Sequence, residues 1–143
     1  MSIRQGILDA VRTRLGRIRK ANGYRTDIGA NVLEWQTAPV PSADLPAISF
    51  RDAENEIAEW TMRERDNRVA VVIEAFGRDV PPSTVRQYVE DIYAAIAVDE
   101  TWGGLALVTE PVSDEIEFRT AEEGVGRATV RILIEYQTAK WEF

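Results

Sequence analysis

The chain has 143 residues, 45% of them hydrophobic and 29% charged, enough for one sizeable core and too apolar for a disordered polymer. It contains no cysteine and no histidine, which excludes disulfides and thiolate metal sites and removes the commonest general base and pH switch. The net charge is −7, yet residues 1–25 hold Arg4, Arg12, Arg14, Arg17, Arg19, Lys20 and Arg25 against Asp9 alone, a local +6 that leaves −13 for the rest.

A basic segment on an acidic body suits self-association, with the basic part of one copy meeting the acidic surface of the next; a solvated face would look the same. Contact with nucleic acid or a membrane is the other reading, although most of so acidic a surface repels free nucleic acid. Arg12, Arg14, Arg17 and Arg19 interrupt any apolar stretch near the start, so no secretory leader is expected. No run of about 18 apolar residues is present to cross a membrane. The expectation is a soluble, cytoplasmic chain with no membrane partner.

From Ser2 to Lys20, Ile3, Ile7, Val11, Leu15 and Ile18 recur at steps of four and three, which predicts an amphipathic helix with Ser2 as N-cap and Asn22-Gly23 as its stop. Residues 24–31 read as a connector, and Val32 to Gln36 as a short strand with Leu33 and Trp35 on one side. Pro39, Pro41 and Pro46 then mark a stiff loop or sheet edge. Ala47 to Arg51 is a strand with Ile48 and Phe50 on one face.

Glu54 to Arg65 is ambiguous, because its Glu-rich start favours a helix while Ala58, Trp60 and Met62 alternate. A strand is the reading adopted, forming a hairpin through Asp66-Asn67 with the β-patterned Arg68 to Gly77. Pro81-Pro82 opens a second helix, with Thr84 and Gln87 as a capping box and Val85, Tyr88, Val89, Ile92, Tyr93 and Ile96 as its apolar stripe. After Gly103-Gly104, Leu105 to Val112 predicts a strand that continues, past a kink, as Glu115 to Arg119. Residues 121–126 predict a turn into Arg127 to Gln137.

That last stretch alternates most clearly. Val130, Ile132, Ile134 and Tyr136 share one side, while Thr129, Arg131, Leu133, Glu135 and Gln137 share the other. The expected fold is a single α+β domain over residues 1–143. It would have one mixed or antiparallel sheet of about five to six strands, including a hairpin, with two amphipathic helices on one face. The second face of the last strand has no helix left to cover it, and in an assembly would line a lumen or meet another subunit.

No catalytic constellation emerges. Nucleophile–base pairs lack their Cys or His, and Lys20 and Lys140, the only lysines, lie in no serine motif. The carboxylate groups Glu54/Glu56/Glu59, Asp114/Glu115/Glu117 and Glu122/Glu123 fall in turns or edge-like stretches and read as solvated. Gly103-Gly104 and Gly124/Gly126 lack the spacing of a phosphate loop. Trp35 and Trp60 read as core or sheet-face residues and Trp102 as a plug at the end of the core. Trp141 and Phe143 are either anchors for a partner or docked on their own domain. The basic helix holds no aromatic, which argues against a single-strand nucleic-acid platform.

Four features, in this order, resemble the phage tail terminator family, the lambda-like minor tail proteins. They are the helix I-R-Q-G-I-L-D-A-V-R-T-R-L, the connector G-Y-R-T-D-I-G-A-N-V, the strand entry A-D-L-P-A-I-S-F, and the closing pattern of helix, G-G-L, strand, acidic turn and long strand. The resemblance spans essentially the whole chain. It implies a non-enzymatic subunit without cofactor or metal that forms a homohexameric ring at the head-proximal end of a tail. The ring would stop growth of the major tail tube protein and receive a head-connector or neck protein, with genomic DNA passing through its lumen. The protein would sit in host cytoplasm during assembly and in the virion tail afterwards. Neck and tail-completion proteins share the pattern, and a nucleic-acid-binding module is the remaining alternative. Candidate subunit or tube contacts are Arg12, Arg14, Arg17, Arg19, Arg131, Glu135, Trp141 and Phe143.

Overall fold

A computed structural model of the chain describes residues 2–36, 40–118 and 124–143. The predicted Glu122/Glu123 pair, Pro39, Arg119 and the first half of the turn at 121–126 lie outside the described residues.

The first helix, α1, spans Ile3–Leu15, and the Ser2 hydroxyl caps it by accepting the Gln5 backbone N–H at 3.0 Å. Ile7, Leu8, Val11 and Leu15 form its buried stripe. The helix stops five residues short of the predicted Lys20. At Gly16 the chain passes into tighter turns, with the Ile18 N–H bonded to Leu15 C=O at 3.1 Å, and Ile18 still reaches the core. An apolar residue at helical spacing thus kept the period after the helix had ended. Gly23, at φ 91°, closes a short 3-10 turn over Lys20–Asn22.

Five strands form one sheet: β1 (Val32–Glu34), β2 (Ala47–Trp60), β3 (Glu64–Arg78), β4 (Val108–Phe118) and β5 (Val125–Ala139). Their order is β1-β2-β3-β5-β4, with β1 parallel to β2 and every other pair antiparallel. The second helix, α2, spans Pro82–Ala97. The architecture is α+β, as expected. Both helices cover the same face of the sheet, burying Ile48, Phe50, Val69, Val71, Ile73, Ala128, Val130, Ile132, Ile134 and Tyr136 against Val11, Leu15, Val85, Tyr88, Ile92 and Ile96. The side chains of β5 alternate between core and open face as its sequence pattern requires.

Several local expectations are corrected. The hairpin turns at residues 61–63, where the Thr61 N–H bonds to Glu64 C=O at 2.7 Å, and not at Asp66-Asn67. Asn67 instead lies inside β3, 1% exposed, its amide donating to the Thr138 hydroxyl at 3.2 Å. With partners across the sheet, a turn-forming residue is held in a strand. The predicted strand at 47–51 and the first part of that at 54–65 are one continuous strand, Ala47–Trp60, with register shifts between Asp52 and Asn55 and between Ile57 and Glu59. The Thr84–Gln87 capping box does not form; Pro81 occupies the N-cap without a side-chain bond. The kink expected after Pro111 is a register shift between Pro111 and Ser113, but the strand starts at Val108 and not at Leu105.

Two tryptophans also differ. Trp35 has φ 51°, a left-handed conformation that ends β1 and turns the indole outward, leaving it 51% exposed. Trp60 lies in β2 but beyond the reach of either helix, and is 65% exposed. Trp102, by contrast, plugs the core as expected, 1% exposed, with its N–H on the Thr109 hydroxyl at 2.8 Å.

Candidate assembly surfaces

The basic segment separates into engaged and free cations. Arg14 is only 8% exposed. Its guanidinium donates to the carbonyls of Ala95 and Asp99 at 3.1 Å each and lies 4.6 Å from the Trp102 ring. Placed at the C-terminus of α2, it meets carbonyls whose backbone bonds are long, 3.4 Å from Val98 and 3.5 Å from Trp102, and the negative end of the helix dipole. Arg14 is therefore occupied inside the subunit and does not face a partner. The Thr101 hydroxyl and the Gly103 N–H, with Arg14 contributing less, lower the Asp99 carboxyl to about 2.

Arg12 pairs with Glu34 at 3.0 Å, Arg25 with Glu90 at 2.8 Å, and Arg4 with Asp52 through its Nε at 2.9 Å. Burial works against ionisation of Asp52, but bonds from the Trp35 N–H and from Arg4 hold it below the usual carboxylate value. Arg17, Arg19 and Lys20 are exposed and carry no ion pair to another described residue. They sit on the stretch that packs on the lead-in to β1, where the Gly29 N–H bonds to Ile18 C=O and the Lys20 N–H to Asp27 Oδ1.

On the open face of the sheet, the charged residues pair across strands. Glu135 holds Arg68 at 2.8 Å, Arg131 lies 3.8 Å from Glu115, and Arg127 bridges Glu74 at 3.4 Å and Glu117. Opposite charges on neighbouring strands support the sheet in this way. Arg131 and Glu135 are thus brought onto one uncovered face, each already matched with a neighbour.

Beyond the helices, β2, β3 and the end of β5 continue as an arm. At its tip Met62 is 91% exposed and Trp141 87% exposed, with Ile57 and Trp60 also outward. The Lys140 ammonium lies 4.4 Å from the Trp60 ring and 5.5 Å from that of Trp141. Phe143 takes the other course, its ring 4.5 Å from the Arg4 guanidinium. The two terminal aromatics therefore differ in degree: Phe143 rests on Arg4 of its own domain but is still 58% exposed, and Trp141 stays outside. Met62 and Ile57 were not singled out from sequence. The Ala58–Trp60–Met62 alternation carried the signal, but it reads equally as a buried sheet face.

The remaining geometry offers little for chemistry. A cleft of about 270 Å³ is lined by Leu45, Pro46, Gly77, Arg78, Asp79, Val80 and Tyr88. Its two charged groups, Arg78 and Asp79, pair with each other at 3.6 Å. Among the described residues no group of three carboxylates converges as a metal site would require.

No protein-family model matches the chain, and neither does any curated protein. Among solved structures, a chain in the virion of a native gene transfer agent particle is similar over 96% of this chain and 92% of its own length, with 12% identity and a TM-score of 0.44.

Proposed function

We propose that the chain is a non-catalytic structural protein of a phage or prophage tail, a terminator that caps the head-proximal end of the tail tube as a hexameric ring. The observation that carries this reading is the placement of large apolar side chains. Trp60, Met62, Val112, Phe118 and Trp141 are all substantially exposed, and they lie on or beside long strands with open edges. A protein that works alone blunts or covers such edges, whereas an assembly subunit needs them. The order of sequence features that resembles tail terminators supports the same reading, although neck and tail-completion proteins share that pattern.

A nucleic-acid module fits less well. Four of the seven N-terminal cations are engaged within the subunit, leaving Arg17, Arg19 and Lys20 on a body of strong negative charge. The test is polymerisation of the cognate tail tube protein in the presence of the purified chain, followed by electron microscopy. Tubes of arrested length with added density at one end are expected. Tubes of unchanged length with bare ends, together with binding to a head connector, would move the chain to the neck.

A further inference from the structure

The sheet has two open edges, and they match each other. β1 and β4 are its outermost strands, and among the described residues nothing pairs with the outer side of either. The ladder places them at the same height: Leu33 pairs with Ser49, Ser49 with Glu74, Glu74 with Thr129 and Thr129 with Glu115. One row below in the ladder, Val32 is level with Ile116 through Ile48, Ala75 and Ala128.

The polarity also agrees. β1 runs parallel to β2, and each later step across β3, β5 and β4 reverses direction. A copy displaced sideways in the plane of the sheet thus brings its β1 against β4 in the antiparallel sense, in which two free edges form the more stable ladder. Charge is complementary in part. Arg17, Arg19 and Lys20 flank the lead-in to β1, while β4 carries Glu110 and Asp114, besides Glu115 and Glu117 already on Arg131 and Arg127, and exposes Val112, Ile116 and Phe118 between them.

We propose that the occupant of the β4 edge is a second copy of this chain, joined through its β1 edge so that the sheet continues from subunit to subunit. The contact is head-to-tail: each copy offers β4 to one neighbour and β1 to the other, and such a contact closes into a ring when its rotation divides the circle. Val32 of one copy meets Ile116 of the next on the helix side of the joint. Glu34, level with Asp114 across the junction, carries its own cation, Arg12, at 3.0 Å. This pairing rests on the ring reading above, and adds to it which two surfaces meet.

The chain contains no cysteine, so an introduced pair reports the contact directly. Within one subunit Leu33 and Glu115 are four strand spacings apart, about 19 Å, and cannot bridge. In the Leu33→Cys/Glu115→Cys double variant, oxidation is expected to give a covalent ladder ending at the ring. Mixing the two single variants should give one covalent dimer. Rings that form by light scattering but yield no cross-link, or a single variant that cross-links to itself as well as the mixture does, would overturn the pairing and leave the ring reading standing. A wild-type chain that stays monomeric would sink the ring reading itself. If the first double variant does not fold, Glu34→Cys/Asp114→Cys tests the adjacent row with the same readout.

Discussion

Arg14 ties the last turn of α1 to the end of α2, through the Ala95 and Asp99 carbonyls, which otherwise accept only long backbone bonds, from Val98 at 3.4 Å and Trp102 at 3.5 Å. Replacing it with methionine keeps most of the volume but leaves those carbonyls with only their long backbone bonds. Arg14→Met is expected to lower stability by about 1.5–3 kcal/mol, the range for hydrogen bonds to a charged group, read as a shift of the urea midpoint. Arg17→Glu, on an exposed residue, should stay within about 0.5 kcal/mol. Equal effects from the two would contradict the division into engaged and free cations. The helical period sets Arg14 apart from Arg12, Arg17 and Arg19, three residues after Val11 and four before Ile18 on the buried stripe, but the carbonyls that hold it belong to residues more than eighty positions away. Asp99 makes a second prediction. Its folded carboxyl ionises at about 2 against an ordinary 3.8, so its contribution is complete above about pH 4 and is lost as pH falls through about 2. Acid titration of Asp99→Asn should show a shallower loss of stability over that window than the wild type; identical acid limbs would contradict it.

At the scale of elements, β5 is the strand most firmly specified by its own residues. Its two parities divide cleanly, and Ile134→Asp would place a carboxylate on the core face at a position with 0% exposure. That variant is expected not to fold, by circular dichroism and by solubility. A soluble, folded protein would mean that the facing of β5 is wrong. The turn after α1 imposes a different constraint. A Cβ on Gly29 would run into the Leu15 carbonyl and lie 2.8 Å from the Ile18 backbone, so Gly29→Ala should cost more than about 2 kcal/mol by chemical denaturation. Hydrophobic period was enough to read both helices, the β5 faces and the hairpin as a type of element. It could not place the ends. Ile18 continues the period of α1 from outside the helix, and Asn67 takes its state from Thr138 across the sheet and not from its own turn preference. The exposure of Trp35 and Trp60 was hidden for a related reason: alternation shows that a strand has two sides, but not how far the helices reach along it.

Across the whole molecule, the helices cover one face and part of its length, and what lies beyond them is apolar, charged and open-edged. Trp60→Ser and Trp141→Ser remove exposed rings, so each should leave thermal stability nearly unchanged while weakening capture of tube ends. A large loss of stability would show that the arm is packed against its own subunit. In the proposed ring, the cations by β1 and the carboxylates of β4 would give assembly a salt dependence, since exposed ion pairs are screened within a Debye length of about 10 Å at 0.1 M salt. Light scattering of the purified chain, over a range of concentration at near-physiological salt, bears most directly on the proposal of a ring-forming subunit. A single discrete mass matching a closed oligomer, giving way to smaller species as salt rises, is the expected result; a monomer at the highest attainable concentration would contradict it.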